Sequence, residues 1–255
     1  MRRTRIYERR DWVKFRVNGE ERWGVVTFYE NNVLRIVDAD NRRYTNANKK
    51  NGTTKGRKIN INEVQLTEKG VFLFDTRLDN HLNSDRKTAD FWYRFCKAAD
   101  WDFCYERVHS IADLKYFLGK RKIKQSVLIF SGHGTKTDGF HLTNRETLND
   151  EVKLKIHESN KDKIILFSSC ELGKNQELCR SLMDILQARA LITYTDDIYD
   201  DISLIAEPFL LELIFSGYNI PKAVEIVTDS LDPIKTLNKK SAKKFPMVCF
   251  TRGSQ

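Results

Sequence analysis

The chain has 255 residues, 40% hydrophobic and 11% aromatic, with 44 Lys and Arg against 35 Asp and Glu, a net charge of +9. That composition excludes a disordered chain and fits one large domain or a medium domain plus a small one. No apolar run reaches the roughly 18–20 residues of a membrane span. The opening stretch "MRRTRIYERRDW" has basic residues and no apolar core behind them, so no signal peptide is read and a cytoplasmic location is expected.

The charge is uneven. Residues 1–64 hold 16 Lys and Arg against 8 Asp and Glu, a net of +8, whereas the remaining 191 residues hold 28 against 27, a net of +1. Two units with different roles are therefore expected, with residues 1–66 as a small basic β domain and 67–255 as a second domain. In the first, "WVKFRV" (12–17), "RWGVVTFYE" (22–30), "NVLRIVDA" (32–39), "RRYTNAN" (42–48) and "INEVQL" (61–66) read as short strands. Asn18-Gly19 and Asn31-Asn32 read as hairpin turns, and "NKKNGTTKGRK" (48–58) as a basic loop. Short strands at that spacing predict a barrel of SH3-like or OB-like type.

From residue 68 strands and helices alternate. "GVFLFDT" (70–76), "FCYERV" (103–108), "SVLIFSG" (126–132), "DKIILFSS" (162–169), "ALITYTD" (190–196) and "FPMVCFTR" (245–252) read as strands, and "FHLT" (140–143) as a short extended piece. Helices are expected over 85–100, capped by Ser84 or Asp85, and over 110–121, opened by Ser110 and closed near Gly119. Others are expected over 175–189, 201–217 with a kink or start near Pro208, and 220–231, with part of 146–159 also helical. This alternation predicts a mostly parallel sheet with helices on both faces.

Two of these strands stop at reactive side chains, "LIFSGHGT" at His133 and "IILFSSCELG" at Cys170. Functional residues of open α/β sheets gather beyond the carboxyl ends of the strands. If the two strands are neighbours, a cysteine nucleophile and a histidine base meet at one rim, with the backbone N–H groups of Gly134 and Cys170 available as an oxyanion hole. Taken singly, a cysteine ending an apolar strand is most often a structural thiol, and Gly-His-Gly is most often a turn. Five cysteines without a CxxC pair give no disulfide framework, and no short-spaced ligand pair anchors a metal. Cys96, Cys104, Cys179 and Cys249 read as buried thiols, and His81, His109, His141 and His157 as surface or core residues. No cofactor is expected.

The paired turns Ser131-Gly132-His133-Gly134 and Ser168-Ser169-Cys170-Glu171-Leu172-Gly173 resemble the caspase-like cysteine peptidases, most of all the CHAT branch related to caspases and separase. The resemblance covers roughly residues 68–255 and takes in 190–224 and 245–253. It implies His133 as general base and acid, Cys170 as nucleophile and the Gly134 N–H in the oxyanion hole of an endopeptidase acting on protein substrates. It also implies a regulated stress or antiviral effector. The caspase Gln-Ala-Cys-x-Gly turn and an inter-subunit linker are missing, which places Asp specificity in doubt. In relatives that cut after Arg or Lys an acidic residue lines the pocket, so "TDDIYDD" (195–201) offers Asp196, Asp197, Asp200 and Asp201, with Asp196 and Asp201 the better candidates. These carboxylates equally suit the cap and first turn of a helix.

Arg2, Arg3, Arg5, Arg9 and Arg10, with Arg42-Arg43, Lys49-Lys50 and Lys55–Lys58, suit a nucleic acid, a nucleotide signal or an acidic protein, or simply a solvated face. Two other classes stay open. One is a catalytically inactive caspase-like scaffold whose basic domain binds nucleic acid or a nucleotide, and the other is a non-peptidase cysteine hydrolase. The oligomeric state is not legible.

Overall fold

The computed structural model describes residues 7–38, 40–47, 56–76, 88–232 and 245–252. Arg2, Arg3, Arg5, Lys49, Lys50, Lys55, His81 and the Ser84 or Asp85 cap lie outside the described residues. The chain divides into two compact units, residues 1–69 with 209–223, and residues 70–208 with 224–255. The sequence reading drew its border at 66/67 and left 209–223 in the second unit.

The first unit contains β1 (Trp12–Val17), β2 (Glu20–Glu30), β3 (Val33–Asp38), β4 (Arg43–Thr45), β5 (Arg57–Lys58) and β6 (Gln65–Leu66). They form one sheet in the order β5-β4-β3-β2-β1-β6. Asn18, Gly19, Asn31 and Asn32 all have positive φ, from 48° to 85°. Asn and Gly adopt that left-handed backbone more readily than other residues, so these dipeptides turn the chain as expected. Alternation places Val13, Phe15, Val26, Leu34, Ile36 and Tyr44 in one core with Ile59 and Val64. On the other face the Trp12 ring meets Phe215 edge-on at 5.2 Å, and Gly217, with φ 98°, lies against Val25.

The second unit contains β7 (Gly70–Asp75), α1 (Thr88–Ala98), β8 (Asp102–Arg107), α2 (Ile111–Gly119), β9 (Val127–Ser131), β10 (Gly134–Thr135), β11 (Gly139–His141) and β12 (Thr147–Leu148). It continues through β13 (Ile164–Ser168), α3 (Gln176–Ile185), β14 (Ala190–Tyr194), α4 (Asp200–Phe215), α5 (Ile220–Leu231) and β15 (Met247–Thr251). The chain passes from the second unit into the first within α4, at Pro208, and returns within α5.

The fold of this unit is mixed α/β. Its main sheet runs β15-β14-β13-β9-β7-β8, parallel throughout except for the antiparallel edge strand β15. Strands buried on both faces read as continuous apolar runs, and β7, β9, β13 and β14 are buried at every position. Leu114 and Leu118 of α2 and Leu178, Cys179 and Leu182 of α3 pack on the face holding Phe72, Phe130 and Phe167. On the opposite face Tyr93 of α1 contacts Phe103 at 6.5 Å, and Tyr194 donates to the buried Glu207 of α4 at 3.2 Å. Helices thus cover both faces.

Local signals explain two helix starts. Ser110 and Asp113 form a reciprocal capping box at α2, and the Asn175 side chain accepts from the Leu178 N–H at the start of α3. The helix expected within 146–159 is absent. β12 is followed by an extended run in which Val152, Leu154 and Ile156 turn inward while Lys153 and Lys155 are exposed, then by a single 3-10 turn, Glu158–Asn160. "VKLKI" has period two, and that alternation overrides the helix formers around it.

Candidate active site

β9 and β13 are adjacent and parallel, with Ser131 directly opposite Ser168. One further ladder bond follows, from the Gly132 N–H to the Ser168 carbonyl at 3.2 Å. His133 and Cys170 each stand two residues past that paired serine position, at the carboxyl rim of the sheet. His133 is exposed and Cys170 is half-buried.

An aromatic row holds the histidine turn in place. Phe74, Phe130 and Phe167 are paired across β7, β9 and β13, with ring centroids 5.1 and 4.9 Å apart. Phe140 of β11 packs on Phe130 at 5.8 Å and on Phe167 at 5.3 Å. This row lies one residue before the serine pair and anchors the hairpin that carries His133. Gly132 is required for the approach, because a Cβ there would meet the Thr76 hydroxyl and lie 2.9 Å from the Phe140 ring.

The His141 N–H donates to the His133 carbonyl at 2.9 Å. That makes His133 and His141 the bonded pair of the ladder and Gly134 and Phe140 the non-bonded one, so the Gly134 N–H points away from β11. A Cβ on Gly134 would lie 2.9 Å from Ser169 Oγ and 3.3 Å from the Cys170 carbonyl oxygen. The two predicted turns therefore touch. The Cys170 N–H takes no backbone partner among the described residues.

The cysteine turn is tied to the acidic loop after β14. The Cys170 thiol donates to the Ile198 carbonyl at 3.8 Å and accepts from the Ile198 N–H at 3.5 Å. Glu171 adopts a left-handed backbone, φ 55°, which turns the chain sharply just beyond the cysteine. Its N–H donates to the Asp196 carbonyl at 3.4 Å, and Lys174 Nζ bridges Glu171 at 2.6 Å and Asp196 at 3.4 Å.

The four candidate carboxylates divide accordingly. Asp196 is engaged by Lys174, and Asp201 accepts from the Ile202 N–H in the first turn of α4. Asp197 and Asp200 are the two whose charge reaches the Cys170 thiol. Burial pushes that thiol above its ordinary value, the Ile198 N–H pulls it partly back, and Asp197 and Asp200 push it up again. Cys170 alkylation by iodoacetamide should therefore set in at higher pH than for a free thiol. Asp197→Asn with Asp200→Asn removes charge that opposes the thiolate, so the rate profile should move to lower pH, with several-fold faster labelling near neutrality. An unmoved profile in the double variant would contradict this coupling.

The other cysteines differ in setting. Burial drives Cys96 and Cys179 to about 12 and Cys249 to about 11, and all five thiols are free. His157 bonds Ser159 at 2.8 Å, and His141 lies 4.0 Å from Asp138. No group of three or more metal-ligating side chains occurs among the described residues, and no helix among them is long and apolar enough to cross a membrane. A groove of about 550 Å³ runs beside β15, lined in part by Gly173, Arg180, Asp184, Phe250 and Arg252, and neither His133 nor Cys170 lines it. Sequence reasoning missed the Ile198 backbone and Lys174. A main-chain contact leaves no trace in residue type, and a lone lysine after the cysteine carries no signal of its own. No family model matches the chain, and no curated protein matches it.

Proposed function

We propose that residues 67–255 are a caspase-like cysteine endopeptidase domain of the CHAT and separase type, preceded by a small barrel-like β domain. The observation that carries this reading is the equal offset of His133 and Cys170 beyond the paired Ser131 and Ser168 on adjacent parallel strands. His133 takes the thiol proton, and the sulfur attacks the scissile carbonyl carbon. The resulting oxyanion accepts from the outward-pointing Gly134 N–H, with the Cys170 N–H as its second donor. Collapse breaks the C–N bond, His133 protonates the departing amine, and water then hydrolyses the thioester.

The acidic loop sets specificity in this reading. At rest Asp197 and Asp200 oppose the thiolate. A Lys or Arg side chain on the substrate neutralises them, so the residue that fills the pocket also eases ionisation of the nucleophile. Cleavage of a positional peptide library should occur after Arg or Lys, and Asp197→Asn with Asp200→Asn should erase that preference. Cleavage after Asp or after apolar residues alone would overturn the assignment of the loop.

The raised thiol also favours one alternative, an inactive scaffold. The two separate on whether a thiol reagent labels Cys170 in a His133-dependent manner.

A further inference from the structure

The chain just after Cys170 folds back on the loop that follows β14. Leu172–Lys174 form a single 3-10 turn. Gly173 lets that turn seat on the end of β14, because a Cβ there would lie 3.0 Å from the Tyr194 carbonyl oxygen and 2.9 Å from Val248. Lys174 is thereby placed against Asp196, which lies 22 positions further along the chain.

The loop 196–199 joins β14 to α4, and its two ends are fixed elsewhere. The Thr195 N–H donates to the Pro246 carbonyl at 2.7 Å, and the Tyr199 carbonyl accepts from the Ser203 N–H at 3.0 Å in the first turn of α4. Between those points the loop leans on the cysteine turn. Among the described residues, every hydrogen bond that Asp196, Asp197 and Ile198 make outside their own loop goes to residues 170–174. The Asp196 carbonyl accepts from the Glu171 N–H and its carboxylate from Lys174, while the Asp197 side chain and the Ile198 main chain engage the thiol.

This arrangement bears on the nucleophile directly. The thiol proton faces acceptors of the loop, and the sulfur accepts from the Ile198 N–H. A sulfur so engaged must let go of the loop before it passes its proton to His133 and meets a carbonyl carbon. The one cation among these ties is Lys174, 2.6 Å from Glu171 and 3.4 Å from Asp196, with its side chain 35% exposed. An ion pair that wet is weak, so an incoming cation can compete with it.

We propose that the loop 196–199 is a latch that holds Cys170 at rest, and that Lys174 is the positioning residue that fastens it. A basic substrate side chain opens the latch by drawing the loop carboxylates onto itself. The proposal deepens the peptidase reading and rests on it for the identity of the opener.

The sign of one substitution separates this role from a simple charge effect. The Lys174 charge by itself favours a nearby thiolate, so its loss alone would slow alkylation of Cys170. As the fastener of the loop it keeps the thiol engaged, so its loss should speed alkylation. The first readout is the rate of Cys170 alkylation by iodoacetamide in the full chain, resolved by mass spectrometry, with the half-exposed Cys104 as internal reference. Lys174→Met should raise the rate about 3–5-fold relative to Cys104. Lys174→Arg should restore it to within about twofold of the wild type, because a guanidinium can also bridge two carboxylates. Lys161→Met is the matched control, since Lys161 pairs with Glu158 at 2.7 Å, is also 35% exposed, and precedes β13 at the amino end of the strand, away from Cys170. It should change the rate less than about twofold.

The second readout is steady-state cleavage of a peptide with Arg before the scissile bond. A larger open fraction lowers the apparent KM of Lys174→Met by the same 3–5-fold and leaves kcat within about twofold. A merely structural lysine would instead lower kcat and leave the alkylation rate unmoved. Slower or unchanged alkylation of Cys170 in Lys174→Met would overturn the latch, as would an equal rise in Lys161→Met or in Cys104. Faster alkylation without cleavage by either protein would uphold the latch and count against the peptidase reading. Cleavage by both with unchanged alkylation would uphold the peptidase reading and sink the latch.

Discussion

Cys170→Ala is expected to lower kcat/KM for a peptide cleaved after Arg or Lys by about 10⁴-fold or more, while thermal stability stays within about 0.5 kcal/mol of the wild type. The nucleophile has no substitute nearby, because the other four thiols are separate in the structure and three of them are pushed up to about 11 or 12. The fold loses little, since the hydrogen bonds of the half-buried thiol run only to one stretch of the loop after β14, the Ile198 main chain and the Asp197 side chain. His133→Ala should fall to a similar level, and the double variant should be no worse than either single one, because the two groups act as a unit. Additive losses, or more than about a tenth of the activity left in Cys170→Ala, would place the chemistry elsewhere.

Gly134→Ala tests the contact between the two turns. The added methyl would sit 2.9 Å from Ser169 Oγ and 3.1 Å from its Cβ, so the histidine turn and the cysteine turn must move apart. A misplacement of about 1 Å costs on the order of 10²-fold in rate, and kcat should carry most of it. Overpacking alone costs about 1–3 kcal/mol of stability, so a matched control is required. Gly119→Ala supplies it, because a Cβ there would lie 2.6 Å from the Lys155 carbonyl oxygen at the end of α2, remote from the site in the fold. Both variants should melt earlier, and only Gly134→Ala should lose activity. Equal activity in the two would show that the Gly134 approach is packing alone.

Legibility varied with how local the deciding interaction is. The apolar runs of β7, β9, β13 and β14 were visible because strands buried on both faces need no partner information to be recognised. The starts of α2 and α3 were visible because Ser110 and Asn175 cap their own helices. His133 and Cys170 stood out because each ends such a run at a turn of small residues. Their adjacency was an assumption, since strand order depends on pairing between residues far apart in the chain, and the β9 and β13 register supplies it. The extended run after β12 was misread because helix-forming residues around "VKLKI" obscured its period of two. The roles within "TDDIYDD" were hidden for another reason. Four carboxylates of equal type differ only in what they face, and Lys174 and the Ile198 main chain decide that in three dimensions. The placing of the Arg35 guanidinium over the Phe28 ring, 4.9 Å from its centroid, follows a bulge between Val26 and Phe28, which no alternation pattern records.

The central claim is that Cys170 is a nucleophile served by His133. The most direct measurement is site-resolved mass spectrometry after reaction with an electrophilic peptide ketone bearing Arg at the reactive end, on the wild type beside His133→Ala. The account predicts one adduct, on Cys170, formed at least about tenfold more slowly in His133→Ala, with both proteins equally folded. Labelling of Cys104 as fast as Cys170, or an equal rate with and without the histidine, would contradict it.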